Sequence, residues 1–420
     1  MFLDSGKKTE CFGCEACVQA CVKKAIRMEE DSEGFRYPVI SHESCVECGL
    51  CRKVCPFENT PNKHENKYVY GGYHKNSKTR FGSTSGGAFS AIVEAFCVNN
   101  YVIFGAEAKG LSVYHNSVED KKEIAKFRKS KYSQSIIGDT YREVKKALQV
   151  GKKVLFSGTP CQVAGLYAFL DNKNIENLLT VEVVCEGVPS PLYIRKLNEH
   201  IIKKHGNPIG VIDYRYTGKS ILSHGKWDFE NMRLIINKGR YKNQFCDNSK
   251  NKNEKIVLVK DRWFNPFWSI WLNHLMSRPS CYECKFTTPE RVADITLGDL
   301  WGVHLYCPEL YGKNGGSSLV VCNTAKGQKI FNEAKKYMFG HSLRFEDAIK
   351  YQSPLRNNIS NNSNRDKFMY DLKSDMDYIN INKKWYKKPT LKLLFQKYIW
   401  GNRQKIFLWE IIRKINIKRG

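Results

Sequence analysis

The chain reads as an α/β (α+β) protein, with a small cysteine-bound domain in front, a larger α/β body behind it and a helical basic tail. Three observations lead there. Two cysteine runs open the chain, Cys11, Cys14, Cys17, Cys21 and Cys45, Cys48, Cys51, Cys55. Short apolar runs, Val102-Ile103-Phe104, Val154-Leu155-Phe156, Val181 to Cys185 and Leu319-Val320-Val321, then alternate with stretches of helical period, the pattern of a sheet fed by crossover helices. Last, the chain ends in a basic, aromatic segment. These divide it into residues 1–60, a body over 68–365 and a tail over 366–420, with the polar stretch Asn59 to Lys67 as the linker and Asn357 to Asn364 as the second break.

Both cysteine runs have the spacing C-x2-C-x2-C-x3-C, with which two-cluster ferredoxins hold two 4Fe-4S clusters, the fourth cysteine of each run ligating the other run's cluster. The expected sets are therefore Cys11, Cys14, Cys17 with Cys55, and Cys45, Cys48, Cys51 with Cys21. Zinc is the competing reading, since a tetrahedral ion also takes four thiolates. A third cysteine at the same interval and an exchanged fourth favour iron-sulfur. The first run ends Cys21-Val22 where the second ends Cys55-Pro56, a departure that removes no ligand. Between the runs, Phe35 to Ile40 alternates like a strand after a turn over Asp31 to Gly34.

With 420 residues, a small cluster domain leaves a body large enough for its own core. Sixteen cysteines without a signal-peptide pattern in residues 1–25, and spaced for metal, place the chain in a reducing, cytoplasmic setting. No run approaches the ~18 apolar residues of a membrane span. The net charge of +26 lies downstream of the cluster domain, whose residues 1–60 carry eight basic and ten acidic side chains. Nucleic acid is the first partner such a balance suggests, but no nucleic-acid module is recognisable and that partner is set aside.

The body carries local signals with two readings each. Ser83-Thr84-Ser85-Gly86-Gly87 leads into a helical stretch from Ala88 to Phe96: a phosphate cradle of free N–H groups, or an ordinary capped helix. Lys129-Ser130-Lys131-Tyr132 supplies charge for a pyrophosphate or a reduced flavin ring, or is a solvated basic face. Val154-Leu155-Phe156 runs into Ser157-Gly158-Thr159-Pro160-Cys161-Gln162 and a helical stretch, and the next strand ends in Cys185-Glu186-Gly187-Val188-Pro189. Successive parallel strands would bring Cys161 and Cys185 to one sheet edge, where α/β proteins place ligands. Together with Cys281-Tyr282-Glu283-Cys284 they make a four-ligand set; alternatively, the first two are buried apolar residues and the pair is a redox or zinc site. Cys97, Cys246, Cys307 and Cys322 show no ligand spacing and read as packing residues.

The body resembles the beta subunit of coenzyme F-420 hydrogenase/dehydrogenase. The stretches that carry the likeness are Ser85-Gly86-Gly87, Lys131-Tyr132, Gly158-Thr159-Pro160-Cys161-Gln162, Cys185-Glu186-Gly187-Val188-Pro189, Cys281-Tyr282-Glu283-Cys284 and Ala293 to Gly302, in family order over roughly Tyr70 to Thr324. The resemblance implies a flavoprotein that holds FAD beside a third 4Fe-4S cluster. It implies Cys161, Cys185, Cys281 and Cys284 as that cluster's ligands, and Ser85, Gly86, Gly87, Lys131, Gly158 and Thr159 as part of the FAD site. The fusion with a two-cluster ferredoxin resembles bacterial proteins associated with cell-surface polysaccharide biosynthesis.

A flavin passes between two-electron and one-electron chemistry, and iron-sulfur clusters carry electrons singly. The expected function is an iron-sulfur flavoprotein oxidoreductase that relays electrons between a ferredoxin-like or deazaflavin carrier and FAD, acting on a small-molecule or saccharide-linked substrate. The alternative is a non-catalytic electron-transfer subunit serving a partner enzyme. No general acid is assigned: Glu186, Asp294 and Asp299 lie in matched stretches, but such residues also cap turns. In the tail, Lys383 to Gly420 hold twelve Lys or Arg against Glu410 alone. Leu391, Leu394, Phe395, Tyr398, Leu408, Ile411, Ile412 and Ile415 recur at near-helical spacing, giving either a peripheral contact with the inner face of an anionic membrane or a helix docked on the body.

Overall fold

The structure is a computed structural model, described over residues 1–65, 68–173, 175–216, 231–237, 254–311, 315–401, 404, 407–408, 411–412 and 415. At the front, β1 (Ile26–Glu30) and β2 (Arg36–Ile40) pair antiparallel. The turn between them closes because Asp31 accepts from the N–H groups of Glu33 and Phe35 through Oδ1 at 3.0 and 2.9 Å, and Gly34 takes φ +84°, where a Cβ would meet Pro191 Cγ at 2.8 Å. The expected strand over Phe35 to Ile40 is thus β2.

A nine-stranded sheet organises the body. Its strands are β3 (Tyr68–His74), β4 (Tyr101–Lys109), β5 (Ser112–Val118), β6 (Ser135–Ile136), β7 (Lys153–Gly158), β8 (Leu178–Val183), β12 (Ile295–Asp299), β13 (Ser318–Cys322) and β14 (Met338–Ser342). They lie in the order β14-β3-β13-β12-β8-β7-β4-β5-β6, and β4, β7, β8 and β12 run parallel. All four expected apolar runs are in this sheet. Val154, Leu155 and Phe156 in β7 are fully buried, as strands covered on both faces must be. Three further strands, β9 (Ile209–Tyr216), β10 (Asn231–Asn237) and β11 (Glu254–Lys260), form a separate antiparallel sheet.

Helices cover the large sheet: α1 (Ala88–Phe96), α2 (Thr140–Gln149), α3 (Pro160–Leu170) and, after β13, α4 (Ala325–Ala334). α3 joins β7 to β8. Its start is doubly specified, with Pro160 in the first turn and a reciprocal cap between Thr159 and Gln162, which satisfies donors that the helix leaves open.

The cluster domain shares its core with the body: Phe12, Cys14, Ala16 and Val54 pack with Tyr141, Val163, Leu166 and Phe286. Polar contacts fix the docking. Glu15 accepts from Ile137 and Gly138 N–H at 3.3 and 3.1 Å, Gln19 accepts from Tyr141 N–H at 2.8 Å, and Arg365 bonds Glu33 at 2.6 Å. Residues 1–60 are therefore clamped onto the body, although the linker composition suggested a separate module.

The break expected near residue 366 also moves. Helices over Arg365–Lys373 and Tyr378–Trp385 bury Phe368, Met369, Leu372 and Ile381 in the core that holds Trp268 and Trp271. Packing continues to Trp385, whose Nε1 donates to Asp371 at 2.7 Å. The polar run 357–364 looked like a domain boundary because its composition is that of a loop, and the amphipathic helices after it belong to the body. Among the described residues no helix is long and apolar enough to cross a membrane.

Candidate redox site

The parallel strands end on one edge, and a cleft of about 330 Å³ opens there. It is lined by Ala106 of β4, Ser157 to Thr159 at the end of β7, Val183 to Pro189 at and beyond the end of β8 and Leu297 to Asp299 of β12. This is the position at which open α/β sheets take ligands, since the loops at carboxyl ends converge without covering the edge.

Of the residues expected to hold FAD, Ser85, Gly87, Lys131, Gly158 and Thr159 line the cleft. Gly86 is turned against the sheet instead: its N–H donates to Ser318 Oγ at 2.9 Å, and a Cβ there would lie 2.4 Å from Gly72 O. Ser85 Oγ donates to Ser317 O at 2.8 Å. The Ser-Gly loop hangs on the start of β13, so fewer of its N–H groups face outward than the cradle reading supposed. Gly87, at φ +87°, caps α1, a backbone state that glycine adopts without strain.

Lys129 and Lys131 differ sharply. Lys129 pairs with buried Asp213 at 2.6 Å. Lys131 is tucked under its own loop, where Nζ donates to Phe127 O at 2.9 Å and Arg128 O at 2.7 Å. Burial lowers its pKa to about 7, with Glu107 opposing the shift and Lys129 adding to it. Because the unfolded amine keeps its proton up to about pH 10, the unfolded chain binds the extra proton between these values and stability rises with pH across that window. Lys131→Met is expected to remove that rise. Urea unfolding of both proteins at pH 6, 8 and 9.5 measures it, and a constant difference between them would contradict the shift.

The acidic residues separate as well. Asp294 is structural, accepting from Thr180 N–H, Thr180 Oγ1 and Thr324 Oγ1 at 2.9, 3.1 and 2.7 Å. Glu186 and Asp299 line the cleft, and Asp299 is ion-paired with Arg215, which also lines it.

The later cysteines gather beside the cleft. Cys161, in the first turn of α3, and Cys185, after β8, both line it. The Cys185 thiol is pushed well up by burial and then by Cys281, Cys161 and Cys284; burial likewise raises Cys281 to about 12, reinforced by Cys284 and Cys161. Gly187, at φ +95°, lets the loop pass Cys281, since a Cβ there would lie 3.6 Å from its Sγ.

At the front, Cys11, Cys14, Cys17 and Cys55 line a cavity of about 30 Å³. Cys55 meets the first run there. Gly13 N–H donates to Cys11 Sγ at 3.4 Å, the backbone support that cluster thiolates receive. Of the second set, Cys51 is pushed up by burial first and then by Cys45 and Cys48, and Cys48 is exposed. Cys21 closes the helix Ala16–Ala20, which packs against the helix Leu50–Lys53 holding Cys51. Among the described residues, no three His, Cys, Asp or Glu converge as a single metal ion requires; a cubane spreads its ligands around a larger body. Cys97, Cys307 and Cys322 are buried apart from these sets, in the cores, and Cys246 lies outside the described residues.

Two residues at this site gave no sequence signal. Arg278 is fully buried and Gln134 lines the cleft, and the two are bonded at 3.1 Å. Neither sits in a motif, and only the meeting of the cluster domain with the body puts them together.

Residues 10–59 match the 4Fe-4S dicluster domain family, and residues 151–340 match the family described as the C terminus of the coenzyme F420 hydrogenase/dehydrogenase beta subunit. The chain thus carries that beta subunit's C-terminal region over residues 151–340, behind a 4Fe-4S dicluster domain. Ketoisovalerate oxidoreductase subunit VorC of Methanothermobacter marburgensis is 34% identical over 59 residues, 14% of this chain and 75% of that protein. A chain of the F420-reducing [NiFe] hydrogenase complex of Methanosarcina barkeri is similar at 14% identity with a TM-score of 0.41, over 77% of this chain and 92% of that one. The two family matches make this chain an iron-sulfur electron-transfer protein of an oxidoreductase family.

Proposed function

We propose that the chain is an iron-sulfur flavoprotein oxidoreductase that relays electrons between a ferredoxin-like or deazaflavin carrier and FAD, to reduce or oxidise an organic substrate. The observation that carries this reading is the course of α3. Its first turn carries Cys161 beside the cleft, and one turn later a Cβ on Gly165 would lie 3.1 Å from Cys14 Sγ. One helical turn rises about 5.4 Å, so a single rigid element spaces the later cysteine set from the first.

In this reading Cys11, Cys14, Cys17 and Cys55, then Cys45, Cys48, Cys51 and Cys21, and finally Cys161, Cys185, Cys281 and Cys284 each hold a 4Fe-4S cluster. The donor chemistry fits, with four thiolates per set and backbone N–H support at Cys11. Ser85, Gly87, Lys131, Gly158 and Thr159 hold FAD in the cleft, where the flavin supplies the change between two-electron and one-electron chemistry. Exposed Cys48 marks the side open to an external carrier. Anaerobic purification followed by iron, sulfide and flavin assays is expected to return ~12 irons and one flavin per chain; about eight irons with no flavin would leave only the front domain loaded and overturn the relay.

The tail serves as a peripheral contact with an anionic membrane, which suits chemistry on saccharide-linked lipids. Of the apolar side read from the sequence, Leu391, Phe395, Leu408, Ile411, Ile412 and Ile415 are exposed and Leu394 is half-buried, so most of it is uncovered, which supports the membrane contact; the side chain of Tyr398 lies outside the described residues. Apolar groups flanked by Lys and Arg favour an anionic interface. Co-sedimentation with phosphatidylglycerol vesicles is expected for the full chain and lost on deleting residues 391–420. Equal sedimentation of both would remove the membrane contact.

A further inference from the structure

We propose that Arg278 is a positioning residue for electron transfer, a buried cation set between the first and the last cysteine sets that raises the reduction potential of the centre on Cys11, Cys14, Cys17 and Cys55. The inference rests on the reading above and adds the control of potential to it.

The backbone of Arg278 belongs to one set and its side chain to the other. Its N–H donates to Val188 O at 2.8 Å, in the loop that follows Cys185, and its carbonyl accepts from Cys281 N–H at 2.9 Å. From there the side chain reaches the cluster domain. Nε donates to Cys11 O at 3.0 Å, Nη2 to Arg36 O at 3.1 Å and to Cys11 Sγ at 3.5 Å, and Nη1 to Gln134 Oε1 at 3.1 Å. Tyr37 lies under the guanidinium with its ring centre 4.2 Å away. Gln134 completes the clamp by donating to Phe12 O and Gly13 O at 2.9 and 3.0 Å. Gly13 leaves the room for it, because a Cβ there would stand 3.1 Å from the guanidinium carbon.

Charge makes the assignment. Arg278 is completely buried, arginine keeps its proton, and among the described residues no carboxylate lies within ion-pair reach of it. A buried charge without a counter-charge is strongly destabilising. Four thiolates around a 4Fe-4S core carry net negative charge, and Cys11 Sγ is the sulfur the guanidinium touches. One electron entering that centre from the external carrier adds one negative charge to the core, and the guanidinium stabilises the product without giving up a proton. Charge and hydrogen bonds to the sulfurs are among the features that set cluster potential. Among the described residues the centre on Cys45, Cys48, Cys51 and Cys21 has no such contact, and it serves as the internal control.

The test is a redox titration of the intact protein followed by electron paramagnetic resonance, with the second centre's signal identified through Cys48→Ser. Arg278→Met is expected to lower the midpoint of the first centre and leave that of the second in place; Arg278→Lys keeps the charge and restores most of the value. An unchanged first midpoint in a fully loaded Met variant overturns the proposal. Should the Met variant fail to fold, wild-type protein labelled with 15N-arginine decides: electron-nuclear double resonance on the reduced first centre is expected to show coupling to a guanidinium nitrogen, and its absence overturns the proposal. Loss of the relay reading would show separately, as missing iron or flavin in the wild type, because the first centre is titrated whether or not the last one is filled.

Discussion

Replacing Cys185 by alanine is expected to cost about four irons per chain, the content of one 4Fe-4S cluster, while the eight irons held by the front domain remain. Cys185 follows β8 at the cleft that Cys161 also lines, and Gly187, two residues on, packs against Cys281. Three remaining thiolates hold a cubane poorly, and the reduced flavin would lose the partner it is proposed to exchange with. The control is Cys322→Ala. Cys322 is fully buried in β13 among apolar residues, so its loss should lower stability by ~1 kcal/mol for the volume removed and leave iron unchanged. Iron assay and dithionite reduction of the two variants measure this. Equal iron in Cys185→Ala and wild type would remove Cys185 from the ligand set.

The largest effect on stability is expected from Arg291→Met, a loss of about 3–5 kcal/mol. Arg291 and Glu182 form an ion pair with both side chains almost fully buried. Glu182 also accepts from Thr296 Oγ1 at 2.8 Å, and Arg291 donates to Phe286 O at 2.6 Å and Thr288 O at 3.0 Å. Removing the cation alone strands a carboxylate in the middle of the sheet. It also frees the loop that follows Cys284. The double variant Glu182→Leu with Arg291→Met removes both charges and should recover most of the loss, since a buried pair contributes little beyond an apolar replacement. Urea unfolding of both variants separates these outcomes. A single variant no less stable than the double would show that the carboxylate is not stranded.

Much of this arrangement is legible because its chemistry is local. Ferredoxin spacing in the two runs follows from how a loop wraps a cubane, so it survives in any fold that uses it. The β7-α3-β8 crossover is legible too: a stretch of helical period lies between two apolar runs, and a helix between two strands implies parallel neighbours whose ends meet at one edge; only the structure shows the helix starting earlier, at Pro160 with the Thr159/Gln162 cap. Gly86 marks the limit, because a glycine signals close approach without saying to what. In the structure the sheet approaches it, at Gly72 O and Ser318. Lys131 was readable as a basic residue of the loop but not as an amine buried against carbonyls, because burial is a property of the assembled body.

From its residues alone the chain was determined to be a cysteine-ligated front domain on an α/β body, since ligand spacing and apolar period are written within short windows. Only the tertiary structure decided that the front domain shares a core with the body, that helices 365–385 close that body, and that Arg278 stands between two cysteine sets. Those facts depend on contacts between residues more than a hundred positions apart, as between Arg278 and Cys11, and no local pattern encodes which distant side chains must share one buried charge.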